Sequence, residues 1–136
     1  MVTMEVGSGP DPYRLPRRIV VRLVDDGSEA LSMSDSYGLT WSPDARYVAY
    51  YDIQTPGYVI RSVGGGDKER RLPGQVMYPS MAWSPDSRTL AYTVAEEQEK
   101  LAIHLVDVDS PAPPRRLTTG ASPSWSPDSK QIVFSR

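Results

Sequence analysis

The sequence predicts an all-β chain made of repeated four-stranded antiparallel units. Three observations carry this. Trp-Ser-Pro-Asp occurs at 41–44, 83–86 and 125–128, each copy 42 residues after the last. Each copy is followed by a short apolar run, Val48-Ala-Tyr-Tyr51, Leu90-Ala-Tyr92 and Ile132-Val-Phe134. Clusters of Gly and Pro separate the other β-branched runs. A fixed period of this length marks one supersecondary unit copied along the chain. Four strands in roughly 40–45 residues make the blade of a β-propeller.

The elements follow in order. Residues 1–18 form an N-terminal extended segment, turn-rich and polar around Gly7-Ser8-Gly9-Pro10. Propeller repeats fill 19–136. Residues 19–33 are a half blade, two strands (19–24 and 29–33) about a turn at 25–28. Residues 34–75 are a complete blade, whose third and fourth strands (58–63 and 69–72) flank Gly64-Gly65-Gly66-Asp67. Residues 76–118 are a second blade, whose third and fourth strands (101–108 and 115–118) flank the Pro-rich stretch 109–114. Residues 119–136 are a half blade of two strands. The chain thus holds three blade equivalents, and its first and last pieces are complementary halves of one blade.

The repeated turn has a physical basis. Pro43, Pro85 and Pro127 fix φ near the value a type I turn needs at its second position. The Ser before each and Asp44, Asp86 or Asp128 after each can bond nearby backbone N–H groups. Trp41, Trp83 and Trp125 end the preceding strand and supply large apolar area. The continuous apolar run after each turn reads as a strand covered on both faces.

Bulk composition excludes several functions. Fifteen basic against seventeen acidic residues give a net charge of −2, without the basic excess of a non-specific nucleic-acid binder. The absence of cysteine removes disulfides, thiolate metal sites and cysteine nucleophiles. No apolar run approaches the roughly 20 residues that span a bilayer, so no membrane insertion is expected. The sequence as written reads as cytoplasmic, and as periplasmic or extracellular if a leader has been removed.

Candidate sites are few. His104 is the only histidine, placed mid-strand beside Ile103 and Leu105, and no Gly-x-Ser-x-Gly elbow exists. Gly64–Lys68 lacks phosphate-loop spacing and reads as a hairpin turn. The pairs Arg17-Arg18, Arg70-Arg71 and Arg115-Arg116 read as solvated strand edges, or else as a patch for an acidic partner. No catalytic residue, metal or cofactor is expected. The loops joining a fourth strand to the next first strand are the better binding candidates. They carry Asp35, Tyr37, Gln75, Met77, Tyr78 and Thr119, with the tyrosines and Met77 as the kind of anchor that interfaces favour.

The block Trp-Ser-Pro-Asp-x-basic-x-aliphatic-small-aromatic, followed by a strand ending near Asp and then Arg-Leu-Thr, resembles the WD-like repeat of TolB-type β-propellers. It is also similar to repeats in the propeller domains of prolyl-oligopeptidase-like peptidases. The likeness covers about residues 19–136. Ala45, Ser87 and Ser129 stand where that repeat usually has Gly. The resemblance implies six blades, twice what this chain holds, so two chains are expected to join head to tail as a homodimeric ring of four-stranded antiparallel blades. A rigid ring with aromatic loop tips and no reactive cluster reads as a non-catalytic scaffold for protein or peptide binding, assembling by completing split blades between chains. The alternative is an accessory or gating propeller fragment of a serine peptidase or of a TolB-like envelope protein.

Overall fold

The computed structural model describes residues 2–6, 17–34, 36–64 and 68–136. The described chain is all-β, with one short 3₁₀ turn at Glu97–Glu99. Its strands form four antiparallel sheets. β1 (Val2–Val6), β2 (Arg17–Arg22) and β3 (Glu29–Ser34) make the first. β4 (Ser36–Trp41), β5 (Tyr47–Asp52), β6 (Gly57–Ser62) and β7 (Glu69–Leu72) make the second, in chain order. β8 (Met81–Trp83), β9 (Thr89–Ala95), β10 (Leu101–Asp107) and β11 (Arg115–Thr119) make the third, and β12 (Ala121–Trp125) with β13 (Ile132–Ser135) the fourth. No described helix is long and apolar enough to cross a membrane.

Each Trp-Ser-Pro-Asp stretch builds the same hairpin. Ala45, Ser87 and Ser129 donate their N–H groups to the carbonyls of Ser42, Ser84 and Ser126, closing a four-residue turn. The next residue pair is held by Ser42 N–H to Tyr47 O, and likewise Ser84 to Thr89 and Ser126 to Gln131. The fourth turn residue takes a positive φ in every copy, 60° at Ala45, 63° at Ser87 and 60° at Ser129. Four residues, 43–46 in the first copy, lie between the paired ones, and four-residue hairpin loops are most often built around a type I turn. The position therefore does need φ > 0, and none of the three residues there is the Gly that bears it most cheaply.

Packing between sheets makes three apolar cores. Ile19, Val21, Leu31 and Met33 of the first sheet meet Val48, Tyr50 and Val59 of the second. Ala49, Tyr58, Ile60 and Leu72 of the second meet Trp83, Leu90, Tyr92 and Val106 of the third. Ala91, Ile103 and Leu105 of the third meet Trp125, Ile132 and Phe134, which stay only partly buried because the fourth sheet has two strands where the middle sheets have four. Successive residues of the central strands point to opposite faces. The continuous runs of β5 and β9 are apolar because both faces of each strand are covered.

Polar links repeat between the sheets. Asp44 N–H donates to Ser87 Oγ at 3.0 Å, and Asp86 N–H to Ser129 Oγ at 3.1 Å. Trp83 Nε1 donates to Thr40 O at 3.4 Å, and Trp125 Nε1 to Ala82 O at 3.0 Å. Both pairs of contacts span 43 residues, one repeat plus one.

The N-terminal stretch differs from its expectation. Within 1–18, Val2–Val6 forms β1 and pairs with β2, with Val2 opposite Val21 and Met4 opposite Ile19. A strand edge left open presents a row of unsatisfied N–H and C=O groups, and any extended segment within reach gains by pairing there. In the second and third sheets the corresponding edge of the third strand holds the second strand, β5 or β9.

Candidate binding surface

Strand direction sets which loops share an end. Ser36 pairs with Asp52, and Asp52 with Gly57, so the 53–56 turn lies at the end where β4 begins. The connections 73–80 and 96–100 and the single residue Gly120 leave the sheets at this same end. The Trp-Ser-Pro-Asp turns lie at the other.

Among the described residues the 73–80 connection is the longest at this end, and it is pinned at several points. Tyr92 Oη donates to Pro73 O at 3.4 Å, and Ala95 N–H to Gln75 O at 2.9 Å. Val76 N–H donates to Tyr51 Oη at 3.4 Å. Thr93 N–H donates to Ser80 O at 3.0 Å, while the hydroxyls of Ser80 and Thr93 sit 2.7 Å apart. Gly74 has φ 117°, and a Cβ there would lie 2.1 Å from Val94 Cγ1. The backbone thus passes directly against the buried Val94, which only a residue without a side chain allows. Tyr58 Oη donates to Thr93 O beneath the loop, and burial pushes its phenol pKa up; burial likewise pushes that of Tyr92 up to about 12.

Between these anchors Met77 and Tyr78 project into solvent, 83% and 81% exposed. Tyr37 lies on β4, opposite Tyr51, and is also exposed. Tyr51 thus pairs in register with Tyr37 and, through its hydroxyl, holds Val76 of the loop that carries Gln75, Met77 and Tyr78. Thr119 is not part of this group. It ends β11, at the opposite edge of the third sheet from β8, and its Oγ1 accepts from Arg116 Nη2 at 2.8 Å. Asp35 lies outside the described residues, as do 65–67 of the glycine-rich turn.

No protein-family model and no curated protein matches the chain. The geometry alone therefore bears on the remaining candidates.

Three of the paired arginines, Arg70, Arg71 and Arg116, are occupied within the chain. Arg70 donates to the carbonyls of Asp107, Ser110 and Ala112, tying the 108–114 loop of the third sheet to the second. Arg71 bonds Asp52 and Glu69, and those partners raise its pKa. Arg116 makes a two-pronged bond to Glu96 at 2.8 and 3.0 Å, which holds the Glu96 carboxyl below its ordinary range. His104 Nε2 stands 3.5 Å from the same carboxylate, and its ring packs against Tyr92. The side chains of Arg17 and Arg18 lie outside the described ones.

Asp44, Asp86 and Asp128 each work inside their own turn. One carboxylate oxygen accepts from the hydroxyl of Ser42, Ser84 or Ser126 and from the N–H two residues on. Arg46 also bonds Asp44 at 2.6 Å and is the main reason its pKa falls to about 2. The carboxyls of Asp86 and Asp128 are lowered chiefly by the Ser84 and Ser126 hydroxyls. Among the described residues no group of three or more metal-ligating side chains converges.

A second surface was not named from the sequence. Open troughs of about 520 and 510 Å³ flank the β12–β13 hairpin, lined among others by Leu105, Leu117, Trp125, Ile132 and Phe134. Val133 is 70% exposed, whereas Ala91 and Ala49, one and two repeats earlier, are fully buried. The signal was present in the register: a branched aliphatic residue holds a position that two other copies bury.

Proposed function

We propose that this chain is a non-catalytic scaffold of the β-propeller type that captures a protein or peptide at the end carrying Tyr37, Met77 and Tyr78. The observation that carries the reading is the pinned 73–80 loop. Its backbone is fixed at both flanks while two large apolar side chains stay in water. Exposed aromatic and Met side chains on an ordered loop are suited to binding, because little further conformational freedom is lost on contact. The extended edge of β4 beside Tyr37 offers a strand-like segment backbone hydrogen bonds.

Three features support the propeller reading: the fixed repeat, the two four-stranded sheets packed side by side, and the likeness to TolB-type repeats. In this reading, sheets of two and three strands at either end of the stack are completed between two copies, giving six blades. Panning a displayed library of random peptides tests the binding face. The wild-type chain is expected to enrich peptides that the Met77→Ala/Tyr78→Ala variant no longer retains, at unchanged melting temperature. Peptides held equally by both would refute the assignment of this face.

A further inference from the structure

We infer that the fourth sheet of one copy docks on β2 of a second copy, in the place β1 holds here, and that the Trp41 indole bonds across this joint while Ala45 leaves its second polar link unmade. The inference rests on the two-copy reading above and names the contacts of that joint.

One contact already joins neighbouring sheets twice. The tryptophan before each turn donates its indole N–H to the first strand of the preceding sheet: Trp83 to Thr40 O, Trp125 to Ala82 O. Trp41 stands at the same register in the second sheet, and its Nε1 has no acceptor among the described residues. The first sheet, which precedes it, lacks such a first strand; its order is β1-β2-β3. One repeat back from Ala82 and Thr40, counted around a ring of two copies, stands the partner's Ser124. Seating β12–β13 of a second copy beside β2 brings that carbonyl to the Trp41 indole.

The other seam runs the opposite way. Asp44 N–H reaches Ser87 Oγ, and Asp86 N–H reaches Ser129 Oγ. Asp128 N–H has no acceptor among the described residues, and one repeat past Ser129 comes residue 45 of the next copy. Residue 45 has the same left-handed backbone as Ser87 and Ser129 but is alanine, so this joint lacks a hydroxyl that the two internal joints have.

Apolar surface agrees. Val133 takes the register of Ala49 and Ala91, which are buried against the next sheet. In the joint it faces the second sheet of the other copy, next to the core of Val48, Tyr50 and Val59. The trough between β10–β11 and β12–β13 is where a third strand would lie. Within one chain, β1 satisfies the edge of β2 instead. Its sequence, Val-Thr-Met-Glu-Val, alternates apolar and polar residues, unlike the continuous apolar runs of β5 and β9. Such alternation suits a strand covered on one face only. β1 is a placeholder that the second copy's β13 displaces.

Sedimentation velocity over a concentration series tests this on the full chain. The wild type is expected to dimerise reversibly. Ala45→Ser supplies the missing acceptor and should tighten the dimer by on the order of tenfold, because a closed pair carries the joint twice. Trp41→Phe should weaken it by a similar factor. Val133→Asp, at a site exposed in the single copy, should leave a folded monomer. Thr3→Pro/Met4→Pro removes an N–H from β1 whichever residue faces β2, and should favour the dimer. A chain that stays monomeric at every concentration overturns the two-copy reading and this joint together. A dimer whose affinity ignores Ala45→Ser and Trp41→Phe overturns the joint alone, and one weakened by Thr3→Pro/Met4→Pro overturns the displacement of β1.

Discussion

Ser87 and Ala45 share a backbone conformation and differ in one hydroxyl, which allows two energies to be separated. Ser87 has φ 63°, is buried, and accepts the Asp44 N–H at 3.0 Å across two sheets. Ser87→Ala keeps the backbone strain and removes the acceptor. An unsatisfied N–H in a partly buried joint costs about 1–2 kcal/mol. Ser87→Gly loses the same acceptor but relieves the left-handed conformation, worth about 1 kcal/mol, so it should fall between Ser87→Ala and wild type. Ala45 has φ 60° and no hydroxyl to lose. Ala45→Gly should therefore stabilise, by up to about 0.5 kcal/mol once the freer unfolded chain is counted. Urea denaturation at one fixed protein concentration reads all three, with unchanged m-values showing that only stability moved. For a chain of this size 1 kcal/mol shifts the melting temperature by roughly 3–5 °C. Ser87→Ala as stable as wild type, or Ala45→Gly less stable than wild type, would refute the reasoning.

Three further outcomes are expected. Gly74→Ala places a Cβ 2.1 Å from Val94 Cγ1 at φ 117°, so it should cost at least about 2 kcal/mol and raise hydrogen exchange across 73–80; exchange confined to wild-type rates would contradict the close approach. Asp44 has a folded pKa of about 2 against an ordinary 3.8, so its contribution is complete above pH 4 and is lost as the pH falls toward 2; Asp44→Asn should flatten that part of the stability profile measured by denaturation. Arg70→Met removes the bonds to the Asp107, Ser110 and Ala112 carbonyls, so limited proteolysis should open first at 108–114 while the sheets hold, and an uncut loop would show that its prolines suffice.

The residues that announced the fold did so because their role is local. Trp41-Ser-Pro-Asp44 closes its hairpin with bonds among 42, 44, 45 and 47, and nothing distant is needed to read it. The apolar runs of β5 and β9 were legible for the same reason, since continuous burial leaves a continuous composition. Tyr37 and Thr119 were expected in loops, yet both lie on strands, because β3 and β4 leave only Asp35 between them and β11 and β12 only Gly120. Turn-forming composition does not reveal that a connection has shrunk to one residue. β1 was missed because its pairing with β2 depends on what else competes for that edge. The exposed pair Met77 and Tyr78 was visible in the sequence, but the rigidity of their loop was not. It comes from Tyr51, Tyr92, Thr93 and Ala95, all distant along the chain.

Stacked repeats exchange groups with their neighbours in fixed pairs, and here the joints of the second sheet with the third and of the third with the fourth carry both. An indole N–H points back one sheet, and a backbone N–H points forward one sheet to a serine hydroxyl. Pairs of this kind divide unevenly at the limits of a stack. Trp41 keeps a donor whose acceptor would sit on the sheet behind it, and Asp128 keeps a donor whose acceptor would sit on the sheet ahead. A hydroxyl at residue 45 would have no donor within the chain, and alanine stands there, bearing the same positive φ without the bond that offsets it at Ser87 and Ser129. In the proposed joint a second copy brings the Ser124 carbonyl to the Trp41 indole, whereas the Asp128 N–H meets Ala45, and Ala45→Ser would complete the pair.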